Sequence, residues 1–207
     1  GNVLSEAASL AVLAARGIPV VPHRLCASAD EAASAAQALG GDLVVKGCSP
    51  DVPHKTEHGL VRVGVEGGAQ VRVLAAEMFA RLAALQARDA AVLVAQRARG
   101  RRELVVGARW LPGYGATVLV GDGGTYVEAL GDVALLLAPF DEREVLDRLR
   151  GLRIWPLLAG VRGEAPVALG ALCRLAVALG ELVADAQGAI ASADLNPVFV
   201  GESEAQT

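Results

Sequence analysis

Residues with chemical potential gather in two short segments. The first, Val44–Gly59, reads VVKGCSPDVPHKTEHG. Lys46 closes an apolar run expected to be a strand. Ser49, His54, Lys55 and Thr56 follow in one polar loop punctuated by Pro50 and Pro53. An ammonium at a strand end, with a second one beside a histidine, suits contact with phosphate. An adjacent cation disfavours a second positive charge on an imidazole, and a ring that attacks phosphorus must be neutral. Each residue also has a plainer meaning. Lys46 reads equally as a lysine snorkelling off a strand, and His54 as a solvent-exposed loop histidine.

The second segment is Asp194-Leu195-Asn196-Pro197. On an extended chain, residues two apart point the same way, so Asp194 and Asn196 present two hard oxygens to one face. That is the character of a Mg²⁺ site completed by phosphate oxygens. A polar turn started by Asn-Pro explains the same residues. Glu103 opens a strand and is placed to accept hydrogen bonds from ligand hydroxyls or to hold a metal through water; an ordinary strand-edge charge is the alternative. Gly121-Asp122-Gly123-Gly124 is expected as a tight glycine turn whose N–H groups suit phosphate, although a hairpin turn is its commoner meaning. Glu128, Asp132 and Arg162 are weaker candidates, and His23 and His58 receive no role.

These residues must be carried by elements legible in the pattern. Ser5 is expected to cap a helix ending near Arg16 at Gly17, followed by a strand Ile18–Val21 stopped by Pro22. A helix from Ser28 or Asp30 to Gly40 leads into the strand Asp42–Lys46. After the polar loop come a return strand Val61–Val65, an amphipathic helix Gln70–Gln86 and a strand Ala91–Ala95. This alternation predicts an α/β lobe over residues 1–95. Strands Glu103–Trp110, Ala116–Val120, Tyr126–Ala129 and Val133–Leu137, joined by short turns, predict an antiparallel sheet. Helices Glu142–Arg150 and Val167–Ala184 and strands Ile190–Ala193 and Val198–Val200 complete an α+β lobe over residues 96–207. A ligand cleft is expected between the two lobes.

Composition narrows the function. Of 207 residues, 53% are hydrophobic, enough for a real core. The net charge of −4 lacks the basic face that nucleic acid requires. No apolar run reaches membrane-span length, and there is no signal-peptide pattern. Cys26, Cys48 and Cys173 are unpaired in spacing and fit reduced thiols in a cytoplasmic protein. The 19 basic residues include only two lysines, Lys46 and Lys55. Lysine retained at these two places in an arginine-rich chain suggests a tight anion contact, with chance as the alternative.

In their order, VVKGCSPDVPHKTE, ELVVGAR, VEALGDVALLLAP, PLLAGVRG and ADLNPVFV resemble the ATP-grasp part of nucleoside-diphosphate-forming acyl-CoA synthetases. The opening LSEAASLAVLAARGIPVVP is similar to that family's first helix and strand. The resemblance covers nearly the whole chain and implies an ATP-grasp fold of two lobes with a nucleotide cleft. It implies that His54 transiently accepts a phosphoryl group and exchanges it with ADP. Lys46, with Ser49 and Lys55, would face the nucleotide phosphates. Val94 and Gln96 would border the adenine and Glu103 would touch the nucleotide side, while Gly123 and Gly124 of the glycine turn stay candidates for phosphate contact through their N–H groups. Asp194 and Asn196 would hold Mg²⁺. The implied reaction interconverts acyl-CoA, ADP and phosphate with acid, CoA and ATP. It requires a CoA-binding ligase subunit or fused domain, so a hetero-oligomer or a longer chain is expected.

The family pattern also has departures here. His58-Gly59-Leu60 replaces a paired glycine after Thr56-Glu57. Gly131 stands where lysine is usual, Leu136 where arginine is usual, and Ser192 where an acidic residue is usual. Such losses suit a catalytically weakened nucleotide-binding module attached to an acyltransferase or ligase partner as an alternative to a working ligase component. A third reading, an ATP-grasp ligase joining an acyl phosphate to an amine, needs no loop histidine and is disfavoured by Pro53-His54-Lys55-Thr56.

Overall fold

Caps and apolar alternation set most boundaries. Helix α1 spans Glu6–Ala15 and starts where Ser5 Oγ accepts a hydrogen bond from the Ala8 N–H at 3.3 Å. It ends before Gly17, whose φ is 72°. Strand β1 is His23–Cys26. The strand expected at Ile18–Val21 does not form; pairing begins after Pro22, whose carbonyl accepts from Gln96 N. Helix α2, Ala29–Leu39, is capped by Ser28 and stopped at Gly40 in the left-handed region. Strands β2 (Leu43–Cys48) and β3 (Val61–Val65), helix α3 (Gly68–Ala84) and strand β4 (Ala91–Gln96) follow. The computed structural model describes residues 4–52, 54–123 and 131–201.

The chain divides into two units. The first holds residues up to Val12 and Val21–Arg97; Leu13–Val20 and everything from Ala98 belong to the second. The first unit's sheet runs β1-β4-β2-β3, and every neighbouring pair is antiparallel. Helices and strands alternate along the chain as expected, but the sheet they build is antiparallel throughout. Each strand–helix–strand passage, β1-α2-β2 and β3-α3-β4, skips one place in the sheet, and an antiparallel strand fills the gap. Helices α2 and α3 cover one face, burying Leu43, Val45, Val65, Val92 and Val94 against Ala32, Ala36, Val71, Met78 and Leu82. Each fully buried large side chain contributes about 1.5–3 kcal/mol of apolar transfer. Gly68 permits the close approach of the two helices, because a Cβ there would sit 2.8 Å from Ala33 O.

The second unit contains β5 (Arg102–Leu111), β6 (Gly115–Asp122), β7 (Val133–Leu137), helices α4 (Glu142–Arg150), α5 (Trp155–Ala159) and α6 (Gly170–Asp185), and strand β8 (Ser192–Val200). Its antiparallel sheet runs β7-β6-β5-β8. The two terminal strands expected here are one: β8 continues through Asn196-Pro197, so the Asn-Pro turn reading is overturned. Pro197 is tolerated because β8 is an edge strand and its pairing register with β5 shifts between Leu104 and Val106. Helix α6 packs on β5 and β6, burying Leu172, Leu175, Leu179 and Val183 with Leu104, Val106, Val118 and Val120. Asp141 and Glu144 form a full capping box on α4. The short helix α5 was not expected from sequence. The strand expected at Tyr126–Ala129 lies outside the described residues. Among the described residues no helix is long and apolar enough to cross a membrane.

Candidate functional site

In the first unit, Lys46 is not the end of its strand. It lies within β2, paired to Leu93 of β4 and Val61 of β3, in a row that faces away from α2 and α3. The sequence Val-Val-Lys-Gly-Cys keeps alternating beyond the lysine, so Val45 enters the core and Lys46 takes the opposite face. There its Nζ donates to Glu6 Oε1 at 2.6 Å, and Lys55 Nζ donates to Glu6 Oε2 at 2.5 Å. The only two lysines of the chain thus meet on one carboxylate. Burial pushes the Glu6 carboxyl up, but the two ammonium groups, Lys46 first, outweigh it and hold it below the usual carboxylate range. Nearby Cys48 is buried, and that burial raises its thiol. Glu6 was missed from sequence because an acidic residue in a first helical turn already has a reason to be there.

The loop between β2 and β3 is clamped at both ends. Gly47 N donates to Leu60 O at 2.8 Å, and Leu60 N donates to Lys55 O at 2.9 Å. Leu60 is fully buried and lies over Gly47, so the bulk that departs from the family pattern enters the core. Further along, Ser49 is 6% exposed; its Oγ donates to Arg88 O at 2.6 Å and accepts from Asp51 N at 3.1 Å. Ser49 is therefore a loop anchor, and the expectation that it faces a ligand is corrected. Asp51 accepts from Arg88 Nε at 3.1 Å and from its terminal nitrogen at 2.7 Å, and these bonds bring its carboxyl down to about 2. His54 stands exposed at the free part of the loop, next to Lys55. Pro53 lies outside the described residues.

Val94 is fully buried in the helix-covered core, so its side chain meets only protein and only its backbone is left to border an adenine. Gln96 ends β4, with its Nε2 donating to Leu39 O at 2.8 Å and its backbone N–H to Pro22 O. Of the basic run, Arg97 pairs with Asp42, and Arg101 and Arg102 pair with Glu164.

In the second unit, the register places Glu103, Val105, Gly107 and Arg109 on the sheet face opposite α6. Leu119, Leu135 and Asp194 lie in the row of Gly107. Glu103 is exposed, and its carbonyl accepts from Gly123 N at 3.1 Å. A Cβ on Gly123 would lie 2.8–2.9 Å from the Glu103–Leu104 backbone, so only glycine allows this approach. Gly121 and Asp122 belong to β6, paired with Val105 and Leu104, and are not a turn. Gly124 and Glu128 lie outside the described residues. Asp132 is a structural acceptor for the N–H groups of Arg153 (3.0 Å) and Ile154 (2.8 Å). Burial pushes its carboxyl up, but these bonds leave it below the usual range.

Asp194 Oδ1 occupies the space that a side chain at 107 would fill, 2.8 Å from an ideal Cβ there. Asn196 alternates with Leu195 and, like Asp194, is exposed. A carboxylate and a neutral amide oxygen suit a hard divalent cation that keeps water and takes phosphate oxygens. Among the described residues no group of three or more His, Cys, Asp or Glu side chains could hold a metal ion unaided. The donor set therefore fits a cation that arrives with a phosphate ligand.

The ATP-grasp domain model matches residues 1–207. The 4-hydroxybutyrate–CoA ligase (ADP-forming) of Nitrosopumilus maritimus is 34% identical over 97% of this chain, which spans 29% of that protein. The beta subunit of acetate–CoA ligase (ADP-forming) I of Pyrococcus furiosus is 32% identical over 98% of this chain, which spans 88% of the subunit. The structure of Ca. Korarchaeum cryptofilum dinucleotide-forming acetyl-coenzyme A synthetase 1 with coenzyme A, Ca-AMPCP and HgCl⁺ superposes with a TM-score of 0.88 at 30% identity, covering 98% of this chain and 89% of that one. The same enzyme with coenzyme A and Mg-AMPPCP, its phosphohistidine segment pointing towards the nucleotide binding site, gives a TM-score of 0.83 at 28% identity, covering 99% and 88%. With its full length matched and nearly all of a free-standing subunit covered, the chain belongs to the ATP-grasp family, in the form found as the beta subunit of ADP-forming acetate–CoA ligases.

Proposed function

We propose that this chain is the nucleotide-handling component of an ADP-forming acyl–CoA ligase. In the overall reaction, acyl-CoA, ADP and phosphate interconvert with acid, CoA and ATP. The carrying observation is local: exposed His54 adjoins Lys55, and Lys55 converges with Lys46 on the carboxylate of Glu6. Phosphoryl transfer asks a protein chiefly for positioning and charge neutralisation. The His54 imidazole forms a P–N bond as the bond from phosphorus to the donor's leaving atom breaks. A terminal oxygen of ADP then attacks the same phosphorus, the P–N bond breaks, and the imidazole is regenerated. Lys46 and Lys55 supply positive charge to the phosphoryl oxygens, and the clamped loop limits where the ring can go.

Asp194 and Asn196 would hold Mg²⁺, which supplies further charge neutralisation when bound with the nucleotide. Glu103 and Gly123 share the sheet face of Asp194 and are proposed to border the ATP or ADP on that side. The phosphohistidine segment seen in the Korarchaeum synthetase supports a histidine relay. The chain spans less than a third of its full-length relative but most of a separate beta subunit. This supports a CoA-binding part carried on a partner subunit or on another segment of a longer polypeptide.

The test supplies that CoA-binding component, acyl-CoA, labelled phosphate and ADP. An acid-labile, base-stable label should appear on the chain, be lost in His54→Ala and be discharged by ADP-Mg²⁺. Equal ATP yield from His54→Ala would rule the relay out. Tight ADP binding with no exchangeable phosphate would favour the weakened module, a reading also served by Leu136, which is buried where the family usually has a cation.

A further inference from the structure

Among the described residues, Glu6 is the one carboxylate paired with Lys46 and Lys55, so two ammonium groups share a single negative charge beside the His54 loop. Each Glu6 oxygen takes a separate lysine, at 2.6 and 2.5 Å. A phosphoryl group bridging two lysines would use its oxygens in the same way. The side chains of Glu6, Lys46 and Lys55 are 26%, 30% and 18% exposed, so the cluster is largely shielded yet reachable from solvent. Glu6 comes from the first turn of α1, while its partners lie on β2 and on the following loop.

We propose that Glu6 is a resident counter-anion, holding Lys46 and Lys55 together until an incoming phosphoryl group displaces it from one or both. This deepens the reading of the phosphate end above and rests on it. Two consequences follow from the geometry. The carboxylate opposes any phosphate that approaches the lysines. Displacing it also frees the first turn of α1 from β2, so that phosphate occupancy is felt at the N-terminal end of that helix.

The experiment measures binding of inorganic tripolyphosphate to the full chain and to Glu6→Gln, Lys46→Ala and Lys55→Ala by calorimetry. Hydrogen exchange is followed in the unaltered chain at Ala8 and Ser9, whose N–H groups donate to Ser5. Removing a like charge a few ångströms away in a partly solvated site should tighten Glu6→Gln about three- to tenfold. The gain should shrink at high salt. Each lysine substitution should weaken binding, and tripolyphosphate should speed exchange in the first turn of α1. Equal or weaker binding by a folded Glu6→Gln overturns the proposal, as does exchange that slows or stays unchanged. Unchanged binding by both lysine variants removes the lysines as the anion site and overturns it too. If Glu6→Gln binds more tightly while His54 takes no phosphoryl group, the role of Glu6 stands and the relay falls.

Discussion

Gly47 and Leu60 form a contact whose energetics can be worked from the structure. Gly47 is a strand residue outside the left-handed region, so alanine there is opposed by space alone. Its methyl would lie 2.8 Å from Leu60 Cδ2 and 3.2 Å from Leu60 Cβ. Overpacking of this kind costs about 1–3 kcal/mol. Leu60→Ala empties part of a fully buried site and should cost about 2–5 kcal/mol. In the double variant the Cδ2 clash is gone and the added methyl fills part of the void. The pair should therefore cost about 1–2 kcal/mol less than the sum of the single variants. Urea unfolding of the four proteins, followed by far-ultraviolet circular dichroism, reads this directly. With a slope of about 1–3 kcal/mol per molar urea, the coupling displaces the midpoint by about 0.3–2 M. Additivity within about 0.5 kcal/mol would show that Leu60 does not press on Gly47, and the account of the clamped loop would fail.

Three other outcomes are expected. Gly107→Ala should push Asp194 aside without unfolding the sheet, because the obstructing atom is a carboxylate oxygen at 2.8 Å; calorimetry should show Mg²⁺-dependent ADP binding weakened about tenfold or more, with Mg²⁺-free binding unaltered. Ser49→Ala strands the Arg88 carbonyl and the Asp51 N–H and should cost about 1–2 kcal/mol in denaturation, whereas a fall in ADP affinity without loss of stability would return Ser49 to the binding residues. The Glu6 carboxyl is lower in the folded chain than unfolded, so its stabilisation holds above the ordinary carboxylate range and is lost as pH falls through the folded value. Melting temperatures taken between about pH 6 and pH 3 should accordingly fall less in Glu6→Gln than in the parent.

Elements whose local signals agree with their tertiary role were legible from sequence. Val61–Val65 and Val133–Leu137 are strands with the expected bounds, and Glu142–Arg150 is a helix between Asp141 and Gly151. Sequence misled where long-range pairing decides. Nothing local indicates that β4 inserts between β1 and β2, which makes the first sheet antiparallel. Pro197 reads as a stop, yet an edge strand with a register shift accommodates it. Residue type drew attention to groups that the fold brings together: the two lysines converge on Glu6, and Asp194 and Glu103 share a sheet face. It was illegible where ordinary chemistry hides a special position. Ser49 in a polar loop gives no sign that it is buried, Val94 none that its side chain belongs to the core, and Glu6 none that it lies beside two cations distant in sequence.

The fastening of the segment between Gly47 and Leu60 bears on how such a chain can change over generations. Its ends are held by backbone bonds and a buried leucine, and its flank by Ser49 and Asp51 on Arg88. His54 takes no part in those fastenings. A descendant could exchange the histidine for almost any polar residue and inherit an undamaged sheet, so the relay proposed for this ring and the architecture that carries it can drift independently. Gene duplication would then supply inert siblings at little folding risk, and a relative that kept every anchor but lost the ring would be read as a retired catalyst rather than a misfolded one.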